Sequence, residues 1–361
     1  MKKRIALAVI GIVCVTAALA IWHMLQQKRQ DFEDNTNAQN VKELRVAVQE
    51  YFISMPVYYI LQNKMDEQFG IKIIPVQYQT GAEQSFDIEK DVYDVAMMGG
   101  ALLQPMIKNQ GILIAEHIKA TDGDRIYVRK DSPILDMQGF NPTYPDIYGD
   151  RESVIGKKII MKSDTTQQYL GVKWLESVGV RKEDVTIQYR EFRDAYEEFL
   201  SGEGDIVVLS APYSYMAESA GLKKIADVES LNMEYYEVII ATKKAYREKK
   251  EELTAFLQCL LYANSILEGD YSKKVKATQE WYKACNVEVT KDLIKEECKD
   301  KILVTVDNYD EDQFGTFEVK YAEYMAHVGN ISPLVIPNIE KNMDKSLFET
   351  AVEREKAQLG N

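Results

Sequence analysis

From residue 44 onward the chain alternates short β-branched or apolar runs with stretches of helical periodicity, which restricts it to an α/β architecture on a largely parallel sheet. Runs at 44–48, 71–77, 94–98 and 112–118 read as strands, with helical patterns at 56–68 and 102–108. A turn signal, Thr121-Asp122-Gly123-Asp124, then closes this unit and the alternation starts again. Strands are expected at 126–129, 155–161, 185–189 and 205–209, with helices at 167–177 and 195–200. Residues 136–150, with Gly139, Pro142, Pro145 and Gly149, read as an exposed insertion loop. A last strand at 238–241 precedes amphipathic helical patterns at 251–267, 272–285, 312–328 and 343–353. With 361 residues and 46% hydrophobic side chains, the chain has material for more than one core. One α/β half interrupted by another, then a helical tail, is the order expected of a chain that crosses between two lobes and returns.

The N-terminus begins Met1-Lys2-Lys3-Arg4 and carries no charged residue from Ile5 to Leu25, which marks residues 1–29 as an export segment. Two readings stand. Ala18-Leu19-Ala20 supplies the small residues for cleavage after Ala20, whereas the apolar run continues past that point through Ile21, Trp22 and Leu25, long enough for a retained membrane anchor. Retention is the favoured expectation, with residues 30–43 as a polar tether and an extracytoplasmic domain associated with the cell membrane.

Charge and motifs narrow the function by exclusion. Formal net charge is −13, and no run of Lys and Arg interleaved with aromatics is available to neutralise a phosphate backbone, so nucleic acid is not an expected partner. His117 and His327 have no Cys, Asp or Glu at metal-ligand spacing, so no metal is expected. A Gly-x-Ser-x-Gly elbow, a phosphate loop and a nucleotide fingerprint are missing, so neither an enzyme nor a cofactor is expected. Cys259, among Phe256, Leu257, Leu260 and Leu261, reads as a buried thiol, while Cys285 and Cys298 are open to pairing or to remaining free.

Several stretches in order carry a resemblance. They are Leu44-Arg45-Val46-Ala47-Val48, Asp94-Val95-Ala96-Met97-Met98-Gly99-Gly100, Gly156-Lys157-Lys158-Ile159-Ile160 followed by Ser163-Asp164-Thr165-Thr166, and Gly202-Glu203-Gly204-Asp205-Ile206 leading to Ala211-Pro212-Tyr213. In this order and spacing the chain resembles solute-binding proteins of the periplasmic-binding-protein-like type II fold, in the branch serving ABC importers of nitrate, sulfonates, taurine and thiamine precursors. It departs from that family at Leu209-Ser210-Ala211-Pro212-Tyr213, where tryptophan is frequent, and in the length of the 136–150 loop.

The resemblance implies two α/β lobes, 44–124 plus 237–361 and 125–236, hinged over a cleft near both boundaries, a small-molecule ligand, a permease and ATPase as partners, and a monomer. A membrane-tethered sensor built on the same fold is the alternative. Ligands of α/β sheets lie beyond the carboxyl ends of strands. That places Gln49, Glu50 and Tyr51 after the first strand, and Gly99, Gly100 and Ala101 after a later one, among the candidate ligand-binding residues. Ser163, Thr165 and Thr166 precede a helix whose first N–H groups are free to meet a ligand, although Ser163 or Asp164 is equally an ordinary N-cap. Tyr213 completes the candidates as an aromatic cover. The expected ligand has an anionic or strongly hydrogen-bonding end and a flat or apolar body, sulfonate-like or thiamine-precursor-like. Glu50 leans toward an amine-bearing ligand and the helix starts toward a sulfonate.

Overall fold

Two mixed sheets, each covered on both faces, organise the protein, which is described by a computed structural model over residues 42–359. The export segment and nearly all of the tether lie outside the described residues. The strands are β1 (Lys42–Gln49), β2 (Ile71–Tyr78), β3 (Val95–Met98), β4 (Gly111–Ala120), β5 (Arg125–Val128), β6 (Lys158–Met161), β7 (Thr186–Tyr189), β8 (Ile206–Leu209), β9 (Lys223–Asp227), β10 (Tyr235–Thr242) and β11 (Lys301–Leu303). The first sheet runs β11-β4-β10-β3-β1-β2 and the second β7-β6-β8-β5-β9.

The largely parallel expectation needs correction. β10 is antiparallel to both β3 and β4, and β5 is antiparallel to both β8 and β9, while β1–β3, β6–β7 and β6–β8 pair in parallel. The reason is the route of the chain. It leaves the first sheet at Ala120, turns through 121–124 into β5, and returns from β9 through 228–234 into β10, so each crossing strand enters its sheet head-first against its neighbours.

Period-two alternation explains the layers. In β3, Val95 and Met97 join one core while Ala96 and Met98 join the core on the opposite face, and all four are buried. In β8, Ile206 and Val208 face Trp174, Leu170 and Leu175, whereas Val207 and Leu209 face Phe199 and Tyr213. A strand buried on both faces must be apolar at every position, which is why these runs look continuous in sequence.

Several segments depart from the sequence reading. The helix expected at 56–68 is broken into Met55–Gln62 and Met65–Gln68 at Lys64, whose φ is 52°. The 136–150 segment is not a free loop: Gly139 N donates to Ile147 O (2.9 Å), Trp174 Nε1 donates to Tyr148 O (3.0 Å), and Ile147 is buried in the second sheet's core. The chain is not purely helical after β10, because β11 adds an edge strand to β4. Cys259, Cys285 and Cys298 are all free thiols; Cys298 sits 3.3 Å from Thr278 Oγ1, and burial pushes it and Cys285 up to about 12.

The first crossing is anchored by a buried arginine. Arg125 reaches Asp122 (2.8 Å), Glu218 (3.0 Å) and Glu296 (3.0 Å), and its guanidinium lies over the Tyr215 ring at 4.4 Å. These partners come from the crossing turn, the helix Tyr213–Ser219 and the helix Lys291–Asp300, so one side chain ties both halves at the point where the chain passes between them.

Candidate functional site

A cavity of about 70 Å³ lies where the carboxyl ends of β1, β3, β6 and β8 converge from the two sheets. Gln49 ends β1 and Gly99 follows β3, while Thr165 and Ser210 follow β6 and β8. This is the position at which open α/β sheets leave room for a ligand. About 10–15 Å³ accommodates one water centre, so in this arrangement the cavity admits a group of only a few heavy atoms.

Of the residues expected from sequence, Gln49, Tyr51, Gly99, Gly100, Ala101, Thr165 and Thr166 line the cavity together. Gln49 is fixed by its amide, which donates to Met97 O at 2.8 Å. Tyr51 meets Phe192 edge-on across the two halves, with ring centroids 5.2 Å apart, and its carbonyl accepts from Trp281 Nε1 at 2.9 Å. Burial, followed by the nearby Tyr213 and Glu50, raises the Tyr51 hydroxyl above its ordinary range, so it stays neutral.

The glycine pair divides in role. A methyl group on Gly100 would stand 2.7 Å from Thr166 N and 2.9 Å from the Thr165 carbonyl carbon, so the two halves approach each other through this missing side chain. Gly99 has nothing within 4 Å of such a methyl. The helix Thr166–Ser177 takes Thr165 as its N-cap, not Ser163 or Asp164, and Thr165 makes no side-chain capping bond. Thr165 Oγ1 instead donates to Lys162 O (3.3 Å), and Thr166 Oγ1 donates to Asp124 Oδ2 at 2.5 Å.

Glu50, Ser163 and Tyr213 do not line the cavity. Glu50 lies near Arg193; burial raises its carboxyl and Arg193 opposes this. Tyr213 is buried in the core beside the second sheet, accepting from Arg193 Nε at 3.2 Å and stacking obliquely on Tyr196 at 5.7 Å. The aromatic residues that line the cavity among the described residues are Tyr51, Phe52 and Phe192.

The charged lining was not anticipated. Glu237 from β10, Glu297 from the helix Lys291–Asp300 and Lys301 at the start of β11 all face the cavity. Lys301 is 3% exposed and donates to Glu237 Oε1 (2.7 Å) and Tyr235 OH (3.3 Å). Glu297 is 1% exposed and accepts from the Tyr282 hydroxyl at 2.7 and 2.9 Å. Burial pushes Glu297 up to about 7, against the Tyr282 hydrogen bond and Lys301. Asp124, fully buried behind Thr166, is likewise raised by burial, with Lys301 and the Ser210 and Thr166 hydroxyls pulling the other way. One signal was available for Glu237: a carboxylate preceding Val238-Ile239-Ile240-Ala241 in an otherwise apolar strand.

With the geometry in place, known proteins can be set beside it. The sequence model of the NMT1/THI5-like family matches residues 150–266, which cover much of the second sheet together with β10. A putative ABC transporter periplasmic binding protein of Brachyspira hyodysenteriae is 25% identical over 309 residues, covering 86% of this chain and 89% of that one. The alkanesulfonate-binding protein SsuA of Xanthomonas axonopodis pv. citri, solved with MOPS, superposes with a TM-score of 0.66 at 14% identity over 86% of this chain and 100% of its own. The fold is periplasmic-binding-protein-like. The periplasmic nitrate-binding protein NrtA of Synechocystis PCC 6803 adds a TM-score of 0.69 at 10% identity, covering 88% of this chain and 90% of that one. At these identities the solved structures speak for the fold, and the resemblance read from the sequence agrees with them.

Proposed function

We propose that the chain is the extracytoplasmic solute-binding component of an ATP-driven importer, capturing a small organic ligand between its two halves and performing no chemistry on it. The observation that carries this reading is the cavity at converging strand ends, lined from both sheets by apolar side chains together with Glu237, Glu297 and Lys301, and approached through Gly100. The Brachyspira relative, named as a periplasmic binding protein of an ABC transporter, supports the same role. The halves are 44–124 plus 237–361 and 125–236, hinged at 121–124 and 228–234. A monomer held at the membrane by residues 5–25 belongs to the same proposal, and so do the ligand contacts of Gln49, Tyr51, Gly99, Gly100, Ala101, Thr165 and Thr166. The ligand class left by the sequence is sulfonate-like or thiamine-precursor-like.

Ligand closes such a protein only to the extent that it prefers the closed form. Two measurements test the role. Deleting the protein should abolish uptake of the ligand it binds, and that ligand should reduce the radius of gyration in small-angle scattering. Unchanged uptake accompanied by altered transcription would instead assign the chain to ligand sensing.

A further inference from the structure

We propose that the ligand meets this cavity with N–H donors on a small cationic group, of the amine, amidine or guanidine class, received by Glu237 and Glu297. This rests on the solute-binding reading above and narrows it to one side of the ligand choice.

The first argument is the balance of partners. The cavity lining holds two carboxylates and one ammonium, and Lys301 spends two of its three N–H donors on Glu237 Oε1 and the Tyr235 hydroxyl. What is left over is acceptor capacity. Among the described residues, Glu237 Oε2 is buried without a hydrogen-bond partner, and so is Oδ1 of the fully buried Asp124, whose other oxygen is bonded to the cavity-lining Thr166. A buried carboxylate oxygen lacking a donor costs free energy, and a ligand bringing N–H groups removes that cost, whereas a sulfonate or nitrate adds acceptors to a site already short of donors.

The second argument concerns the feature that would favour an anion. The start of the helix Thr166–Ser177 opens on the cavity and its dipole favours negative charge there. That position has an internal occupant: Asp124 comes from the crossing turn and bonds Thr166 Oγ1 at 2.5 Å. Gly100 opens a three-residue 3₁₀ turn that runs on into the five-residue helix Leu103–Ile107, a shorter helical segment than Thr166–Ser177. Burial, reinforced by Glu237 and Asp300, holds the Glu297 carboxyl near 7, and an arriving cation relieves the same repulsion. The volume of about 70 Å³ suits the head of such a ligand.

The test is calorimetric titration of the full chain with acetamidinium and methylguanidinium chlorides, set against sodium ethanesulfonate and sodium nitrate at matched ionic strength. The cations should bind and the anions should not. Glu237→Gln and Glu297→Gln, each checked for native circular dichroism, should weaken the cations about tenfold or more without creating a preference for anions. Two variants are used so that one failing to fold leaves the other to decide. Tighter binding of ethanesulfonate or nitrate, unchanged or strengthened in Glu237→Gln, overturns the donor assignment and leaves the solute-binding role standing. Failure of all four probes, with no change in thermal stability, overturns the donor assignment, while the solute-binding role is decided separately by the uptake measurement.

Discussion

The two halves meet in two regions of opposite character. At the outer rim, the helix Thr166–Ser177 packs against the helix Thr316–His327, with Tyr169 centred 5.2 Å from Tyr321 and 4.8 Å from Tyr324. Polar groups there are matched: the Tyr324 hydroxyl donates to Glu176 Oε2 (3.0 Å), and Lys182 Nζ donates to Val328 O (2.9 Å) and Asn330 Oδ1 (3.1 Å). At the cavity, by contrast, the halves approach through a bare glycine and leave carboxylate oxygens unpartnered. On the solute-binding reading proposed above, the rim favours closure whatever the cavity holds. The cavity is then where an occupant changes the equilibrium, because there the closed form lacks partners that a ligand can supply.

The strongest way to separate these regions is pH, because the buried acids lie at the cavity and inside the first sheet's layers. Burial pushes Glu297 and Glu116 up to about 7 and Glu318 up to about 8. Among the described residues, neither oxygen of Glu318 has a hydrogen-bond partner, and Glu116 accepts only from Gly315 N at 3.1 Å. A carboxyl raised above its ordinary value near 4.5 keeps its proton in the native chain after the unfolded chain has lost it. Stability should therefore fall as pH rises from about 5 to 8, by an amount on the order of a few kcal/mol. On the other side, Asp94 and Asp227 are lowered, because ion pairs and hydrogen bonds outweigh their burial, so their contribution is lost as pH drops below the ordinary value of 3.8. Urea midpoints at pH 5.5 and 8.0 measure the upper window; a midpoint that rises with pH would mean these acids are ionised in the native chain. Glu318→Gln should flatten the slope.

Next in size is the glycine that lets the halves approach. Gly100→Ala places a methyl 2.7 Å from a backbone nitrogen that has no flexible end to move aside, so the closed form should lose about 1–3 kcal/mol. Gly99→Ala meets nothing within 4 Å and should change closure by less than about 0.5 kcal/mol. Scattering should show a larger mean radius for Gly100→Ala only. Equal effects from the two substitutions would mean that closure does not depend on the Gly100 contact.

How much of this was legible depended on whether the signal was local. β3 and β8 announced themselves because burial on both faces forces every residue to be apolar, and Gly99-Gly100 followed directly from the strand end. Their order also indicated the two halves of the cavity, through Gln49, Gly100 and Thr166. The charged lining was illegible for a different reason. Glu297 sits beside Glu296 in a helix rich in Lys and Glu, yet Glu297 is 1% exposed while the Glu296 side chain is 43% exposed. Only the packing of that helix over Tyr282 and Lys301 distinguishes them. Glu50, adjacent to the strand end, was the carboxylate that the sequence offered, whereas Glu237, which lines the cavity, comes from a distant antiparallel strand. The antiparallel crossings were missed similarly, since strand direction is a property of the chain's route and leaves no mark in composition.

The smallest effects belong to the rim, and they sharpen the comparison by what they leave unchanged. Lys182→Ala removes donors to Val328 O and Asn330 Oδ1, and Tyr324→Phe removes the bond to Glu176 while keeping the ring against Tyr169. Each is a half-exposed polar contact across the halves, so each should shift the closed form by only about 0.5–1 kcal/mol. That corresponds to a few-fold change in the closed population, and it should weaken every probe by the same factor. The ranking of acetamidinium over ethanesulfonate should be identical in the parent and in both variants, because the rim sets how readily the halves close and the carboxylates set what they close on. A change of ranking in Lys182→Ala would show that rim and cavity act as one unit, and the separation drawn between them would have to be given up.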